Sequence, residues 1–178
     1  LPRTHAWLVS DSHDAARPLW GSCSAANLFK DFMYTLHHHP FCPHSRFVRL
    51  ALGEYGLDLR LMEERAWERR EAFLLLNPAG ATPVLIADGF PPIPGAGIIA
   101  EYLDEAHGLE AGERRLLPSS MAERVEVRRL MAWFNEKFFE EVSNPLVTER
   151  IYKRFMSEEN GGGSPSTDVI RAAKVNVR

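Results

Sequence analysis

The sequence is short of several things, and each shortage narrows the reading. It has no run of about 18 apolar residues, so no segment is expected to span a membrane as a helix. It has only two cysteines, Cys23 and Cys42, which excludes a disulfide-dense secreted scaffold and fits a reducing, cytoplasmic setting. It has no cationic excess: 21 Lys and Arg against 24 Asp and Glu leave a formal net charge of −3, so the electrostatic footprint of a nucleic-acid binder is missing. It has no cluster of Cys, His and carboxylates at metal-ligand spacing; His37, His38 and His39 are consecutive and alternate faces along a strand, so no metal is expected. What is present is 178 residues with 45% hydrophobic content. That is enough to fill a core in one ordinary domain or two small ones, and it excludes wholesale disorder.

The two ends read differently from the middle. The first methionine is Met33, and residues 1–32 show neither strand nor helix periodicity nor the basic start and apolar run of a signal peptide. They are read as a non-native or disordered extension, with Met33 as the native start and Cys23 inside the extension. At the other end, Glu158 to Pro165 with Gly161, Gly162 and Gly163 reads as a flexible link. Ser166, Thr167 and Asp168 then offer caps for a helix carrying Val169, Ile170, Ala172 and Ala173.

Between these ends the periodicity is clear. Tyr34–His38 reads as a strand. Phe47, Val48, Ala51, Leu52 and Tyr55 recur at helical spacing after Pro43, and Gly56 stops the helix. Leu57, Leu59 and Leu61 alternate with Asp58 and Arg60 as in a strand. A charged helix over Trp67–Leu76, a strand at Val84–Ile86, the turn Asp88-Gly89, a short edge strand among three prolines, and a helix ending near His107-Gly108 complete the piece. The order β-α-β-α-β-β-α suits a small sheet with helices on both faces. After a linker, Ser119 or Ser120 with Glu123 offers a capping box for a long helix. Val127, Leu130, Met131, Phe134 and Phe138 form its apolar stripe, and Pro145 is expected to interrupt it. This is the opening of an all-α domain. Two helices and a stub leave Trp133, Phe134, Phe138 and Phe139 short of partner surface, so a truncated bundle with poor activity or a tendency to aggregate is expected.

The sharpest chemical signal is Cys42-Pro43-His44-Ser45 at a strand-to-helix junction. A thiol there meets unpaired backbone N–H groups and the positive end of the helix dipole, and both favour the nucleophilic thiolate. His44 could add positive charge and Ser45 a hydrogen bond. With serine three residues on, the site suits monothiol exchange or activation of a bound thiol, not a two-cysteine cycle. The alternative is that Cys42 is a small buried hydrophobe beside a turn. Thr82-Pro83, ahead of a strand, is a second element: a cis bond there would present the Thr82 backbone to an extended thiol peptide, although the isomer stays open from sequence.

Taken together, Phe41-Cys42-Pro43-His44-Ser45-Arg46, Asn77-Pro78-Ala79-Gly80 with Thr82-Pro83-Val84-Leu85, and Ile99-Ala100-Glu101-Tyr102-Leu103-Asp104-Glu105 resemble the glutathione S-transferase superfamily. The resemblance runs from about Met33 to Arg178. It implies an α/β thioredoxin-like N-terminal domain over 33–108, a linker over 109–118 and an incomplete all-α C-terminal domain over 119–178. It also implies a homodimer when full length, with Cys42 or Ser45 in the catalytic position. Glutathione is the implied co-substrate, lying against His44, Thr82, Pro83, Val84, Gly95 and Ala96. One position departs from the family. Where an acidic residue and a serine usually hold the γ-glutamyl end, this chain has Gly95-Ala96, so two side-chain hydrogen bonds worth ~1.5–3 kcal/mol each are missing. Backbone N–H groups at that helix start could still hold a carboxylate. Trp67-Glu68-Arg69-Arg70, Ala122-Glu123-Arg124 through Val127-Arg128-Arg129-Leu130, and Trp133-Phe134 with Lys137-Phe138 resemble a branch of this superfamily that binds FtsZ filaments in bacterial cell division. Three readings follow: a glutathione-dependent transferase or thiol reductase, an FtsZ-binding protein without transferase chemistry, and a stand-alone glutaredoxin-like reductase, which the helical part disfavours.

Overall fold

β1 (Tyr34–His38) is buried along its whole length and sits in the middle of a four-stranded sheet ordered β2-β1-β3-β4. The computed structural model describes residues 34–177; the 1–32 extension, Met33 and Cys23 lie outside the described residues. β2 (Leu59–Glu63) runs parallel to β1, with Leu36 opposite Leu61. β3 (Val84–Ala87) runs antiparallel on the other side, with Leu36 opposite Leu85, and β4 (Ile93–Pro94) adds a two-residue edge. A parallel pair needs a long crossover, and α1 (Pro43–Glu54) supplies it between β1 and β2.

One face of the sheet is covered by α1 and α3 (Ala96–Ala111), which pack side by side. Leu36, Val48, Leu52, Leu85, Ile99 and Leu103 form the centre of that layer. On the opposite face Phe73, in the single turn α2 (Glu71–Leu74), packs on the His37 ring. The sheet with helices on both faces is therefore as expected.

Three local expectations are corrected. The helix expected over 67–76 is split: Ala66–Glu68 form a 3-10 turn, Arg69 adopts left-handed φ 46, and α2 begins only at Glu71. Tertiary contacts override helix propensity here. Arg70 reaches back to the fully buried Glu64 carboxylate with two hydrogen bonds, and the Arg69 guanidinium lies over Gly80. The strand expected from Leu57 starts two residues later, at Leu59. The helix expected to end near His107-Gly108 continues to Ala111; Gly108 is a space for side chains, not a stop.

The helical part begins with α4 (Met121–Ala132), capped by Ser120 through its backbone; the expected capping box with Glu123 does not form, because Ser120 makes no side-chain cap bond. The helical path then continues through two π-helical turns, Trp133–Lys137 and Phe139–Ser143, into α5 (Asn144–Arg150). Pro145 does not interrupt it. It sits in the first turn of α5, where a proline costs least, and the wide turn before it takes up the missing bond. α6 (Thr167–Val175) is capped as expected by Ser166, whose Oγ accepts the Val169 N–H at 3.4 Å. Trp133 and Phe134 remain half exposed among the described residues.

Candidate functional site

The loop after β1 folds back so that the Cys42 N–H donates to the His39 carbonyl at 3.0 Å. Cys42 then becomes the N-cap of α1, with Pro43 in the first helical turn. Cys42 is 6% exposed, and its thiol points across to the Thr82 carbonyl, 3.8 Å away. The Thr82-Pro83 bond is cis. Pro83 in turn accepts the Gly95 N–H at 3.0 Å, which fixes the start of α3 beside the same loop. Gly95 has φ 89, a left-handed value that favours glycine, so the absence of a side chain there suits the backbone as well as the site.

Two cavities meet at this junction. The larger, about 570 Å³, is lined by Thr82, Pro83, Gly95 and Ala96 on the sheet side and by Arg128, Met131, Asn135 and Glu136 on the helical side. The smaller, about 320 Å³, is lined by Cys42, His39, Trp67, Thr82, Phe139, Asn144, Val147 and Tyr152. His44, Ala81 and Thr82 belong to both. The sequence therefore places Thr82, Pro83, Gly95, Ala96 and His44 together. Val84 is fully buried inside β3 and lines neither cavity. Ser45 is fully buried; its Oγ accepts the His39 N–H at 3.3 Å, so it braces the loop from behind, away from both cavities.

His44 faces the helical part. Its Nε2 donates to the Asn135 carbonyl at 2.7 Å, and its ring lies 4.0 Å from that of Phe139. Asn135 is inside the first π turn and Phe139 opens the second. On the larger cavity's wall, Arg128 grips Glu101 with two bonds of 2.7 Å and holds that carboxyl below the usual carboxylate range.

Burial disfavours the charged form of the neighbouring imidazoles. His37, His38 and His39 are all pushed below the ordinary histidine value, chiefly by desolvation. The Nδ1 atoms of His37 and His38 are buried without a hydrogen-bond partner among the described residues. The His39 Nδ1 accepts the Phe41 N–H at 3.3 Å, and its ring sits 5.1 Å from Trp67 and 4.9 Å from Tyr152. Among the described residues no group of His, Cys, Asp or Glu could hold a metal ion.

Sequence reasoning missed the far wall: Trp67, Asn135, Phe139, Asn144 and Tyr152. Trp67 and Tyr152 carried a usable signal, since each is a large aromatic with a polar atom beside a predicted core. The π turns that aim Asn135 and Phe139 leave no trace in apolar spacing.

The sheet order, the cysteine-capped helix and the cis-proline loop beside it define a thioredoxin-like domain with a helical part attached. Residues 36–113 match the family model of the glutathione S-transferase N-terminal domain. It is 49% identical to a glutathione S-transferase from Sinorhizobium meliloti 1021 of known structure, with a TM-score of 0.79 over 82% of this chain and 63% of that one. It is 38% identical over 147 residues to FtsZ-localized protein A of Caulobacter vibrioides, covering 81% of this chain and 61% of the relative. A theta-class glutathione S-transferase from Xanthomonas axonopodis pv. citri, solved with glutathione bound, shares the fold at 21% identity and a TM-score of 0.65, over 82% of this chain and 65% of that one. The chain thus spans about three fifths of the length of the first two relatives. No helix among the described residues is long and apolar enough to cross a membrane.

Proposed function

We propose that this protein uses glutathione at the Cys42 junction, in thiol transfer or thiol reduction. The observation that carries this reading is the alignment of the Cys42 thiol, at the N-terminus of α1, with the Thr82 carbonyl across a cavity junction. A tripeptide lying in extended form along Thr82 would pair with that backbone and bring its sulfur to Cys42. Its α-carboxylate would reach the start of α3, where the Ala96 and Gly97 N–H groups stand in for the acidic residue and serine usual in the family. Because only backbone groups serve that end, binding is expected to be weak, in the millimolar range that ~4 kcal/mol represents. Isothermal titration of glutathione tests this: a small saturating heat supports it, and none at millimolar ligand overturns it.

A second reading has its own support. The relative at 38% identity is an FtsZ-localized protein, and the likeness extends across the helical part as well as the sheet domain. In that reading the protein binds FtsZ filaments, and catalysis at Cys42 is dispensable. Co-sedimentation with polymerised FtsZ tests it; absence from the pellet removes it. Homodimerisation and a cytoplasmic setting are part of both readings, and sedimentation velocity tests the first of these.

A further inference from the structure

Tyr152 sits on a 3-10 turn (Tyr152–Arg154) after α5, 110 positions from Cys42 in sequence, yet both line the 320 Å³ cavity. Its ring is locked by two neighbours: His39 stands perpendicular to it at 4.9 Å, and Trp67 lies 5.1 Å away at 41°. Those rings are themselves fixed. His39 is buried and its Nδ1 accepts the Phe41 N–H, so the three rings pack together on one side of the cavity. Tyr152 is partly buried, and its hydroxyl has no hydrogen-bond partner among the described residues. A polar atom on the wall of the Cys42 cavity without a protein partner is available to a ligand or a reacting group.

We propose that the Tyr152 hydroxyl donates a hydrogen bond to the Cys42 sulfur whenever that sulfur carries charge, which makes Tyr152 a catalytic residue of thiol exchange. This rests on the glutathione-dependent reading of the Cys42 site. The phenol suits the role. Burial, and then the charge of the nearby Cys42 thiolate, push its ionisation well above the ordinary tyrosine value, so it keeps the proton it would donate.

The role appears twice in the exchange of a glutathione mixed disulfide, RS–SG, with glutathione. First the Cys42 thiolate attacks the glutathione sulfur. A Cys42–SG bond forms, the RS–SG bond breaks, and RS⁻ leaves with the electron pair. Next the thiolate of a second glutathione attacks the Cys42–SG bond and forms glutathione disulfide. Cys42 leaves as thiolate, and the proton given up by the second glutathione ends on RS⁻. In this second step Cys42 is the leaving group, and leaving is faster when its negative charge is stabilised. A donor that faces Sγ at that moment speeds release.

The test is Tyr152→Phe, which keeps the ring in the triad and removes only the hydroxyl. The first readout needs no glutathione: the thiolate absorbance of the protein followed against pH, with Cys42→Ser subtracted to remove Cys23. Loss of one charge-assisted hydrogen bond is expected to lower the thiol's ionisation constant about tenfold in Tyr152→Phe. An unchanged profile, with an unchanged thermal melt, overturns the proposal. The second readout is the rate at which glutathione releases a preformed Cys42–glutathione disulfide, expected to fall several-fold in the variant. If the absorbance profile shifts while glutathione never forms or releases that disulfide, the Tyr152–Cys42 bond stands and the glutathione reading falls. If the parent exchanges normally and the variant matches it in both readouts, Tyr152 has no such role. A variant that melts early is replaced by Tyr152→Met, which removes the hydroxyl together with the ring but keeps an apolar side chain, and must show the same shifted profile.

Discussion

Substituting Gly108 by alanine sets two effects of opposite sign against each other. Gly108 lies in the last turns of α3, where alanine should stabilise a helix by about 1 kcal/mol over glycine. A Cβ at this position, however, would meet the Arg115 Nε at 2.8 Å and the Asp104 Oδ1 at 2.9 Å. Neither atom is free to move alone. Arg115 holds Asp104 through Nε–Oδ1 at 2.8 Å and Nη2–Oδ2 at 2.6 Å, and the Asp104 carboxylate is 1% exposed. This pair holds its carboxyl below the usual carboxylate range and ties α3 to the segment leading into α4. Breaking a buried pair by displacing one partner costs about 3–5 kcal/mol. Arg124 remains 3.4 Å from Asp104 and recovers part of that, so the lower end applies. The net expectation is a loss of about 2 kcal/mol, or roughly 4–8 °C in melting temperature for a fold of this size. Thermal and urea denaturation followed by circular dichroism measure it. The double variant with Asp104→Asn should lose less than the two single losses summed, because both act on one pair. A Gly108→Ala protein that melts at or above the parent would refute the steric argument and return Gly108 to the role of a helix weakener.

Two further outcomes follow from the geometry. His44→Ala removes the 2.7 Å bond to the Asn135 carbonyl and the Phe139 contact; it should cost about 1–3 kcal/mol and speed amide exchange over Trp133–Ser143, and exchange unchanged there would show that the π turns hold themselves. Stability should also fall with acidity. The buried His37 and His38 resist protonation, so below the ordinary histidine value near pH ~6.5 the unfolded chain binds protons that the native state refuses. Unfolding free energies from urea titrations at neutral to mildly acidic pH should decline by up to ~1.4 kcal/mol per pH unit for each such histidine, and His37→Asn should flatten the slope; a free energy that rises on acidification contradicts the assignment.

The parts of this fold that were legible in sequence are those set by local periodicity. Val48, Ala51, Leu52 and Tyr55 mark one face of α1 at the spacing that the structure buries, and Ser166 capped the helix it was expected to cap. Alternation alone misplaced β2, because its outer residue Leu61 is exposed while the fully buried residue of the next turn is the charged Glu64. The split at Arg69 and the continuation past Gly108 both arise from arginine–carboxylate pairs whose partners lie 6 and 11 residues apart. No propensity rule sees these. At the site, Cys42, His44, Thr82, Pro83, Gly95 and Ala96 could be brought together from motif spacing and resemblance. Tyr152, Asn135 and Phe139 could not, because two consecutive π turns rotate the helical surface away from its 3.6-residue phase. Ser45 is a different case: a hydroxyl three residues from a thiol reads as chemistry, and in the structure it is buried with its oxygen accepting the His39 N–H.

The central claim is that Cys42, and not a general property of the chain's thiols, meets glutathione. Incubation with glutathione disulfide followed by peptide mass spectrometry tests it most directly, with Cys23 as the internal comparison. The account predicts a mixed disulfide on the Cys42 peptide that forms faster than on the Cys23 peptide and is reversed by added glutathione. Modification of Cys23 alone, or of neither cysteine while glutathione produces no heat of binding, would contradict it.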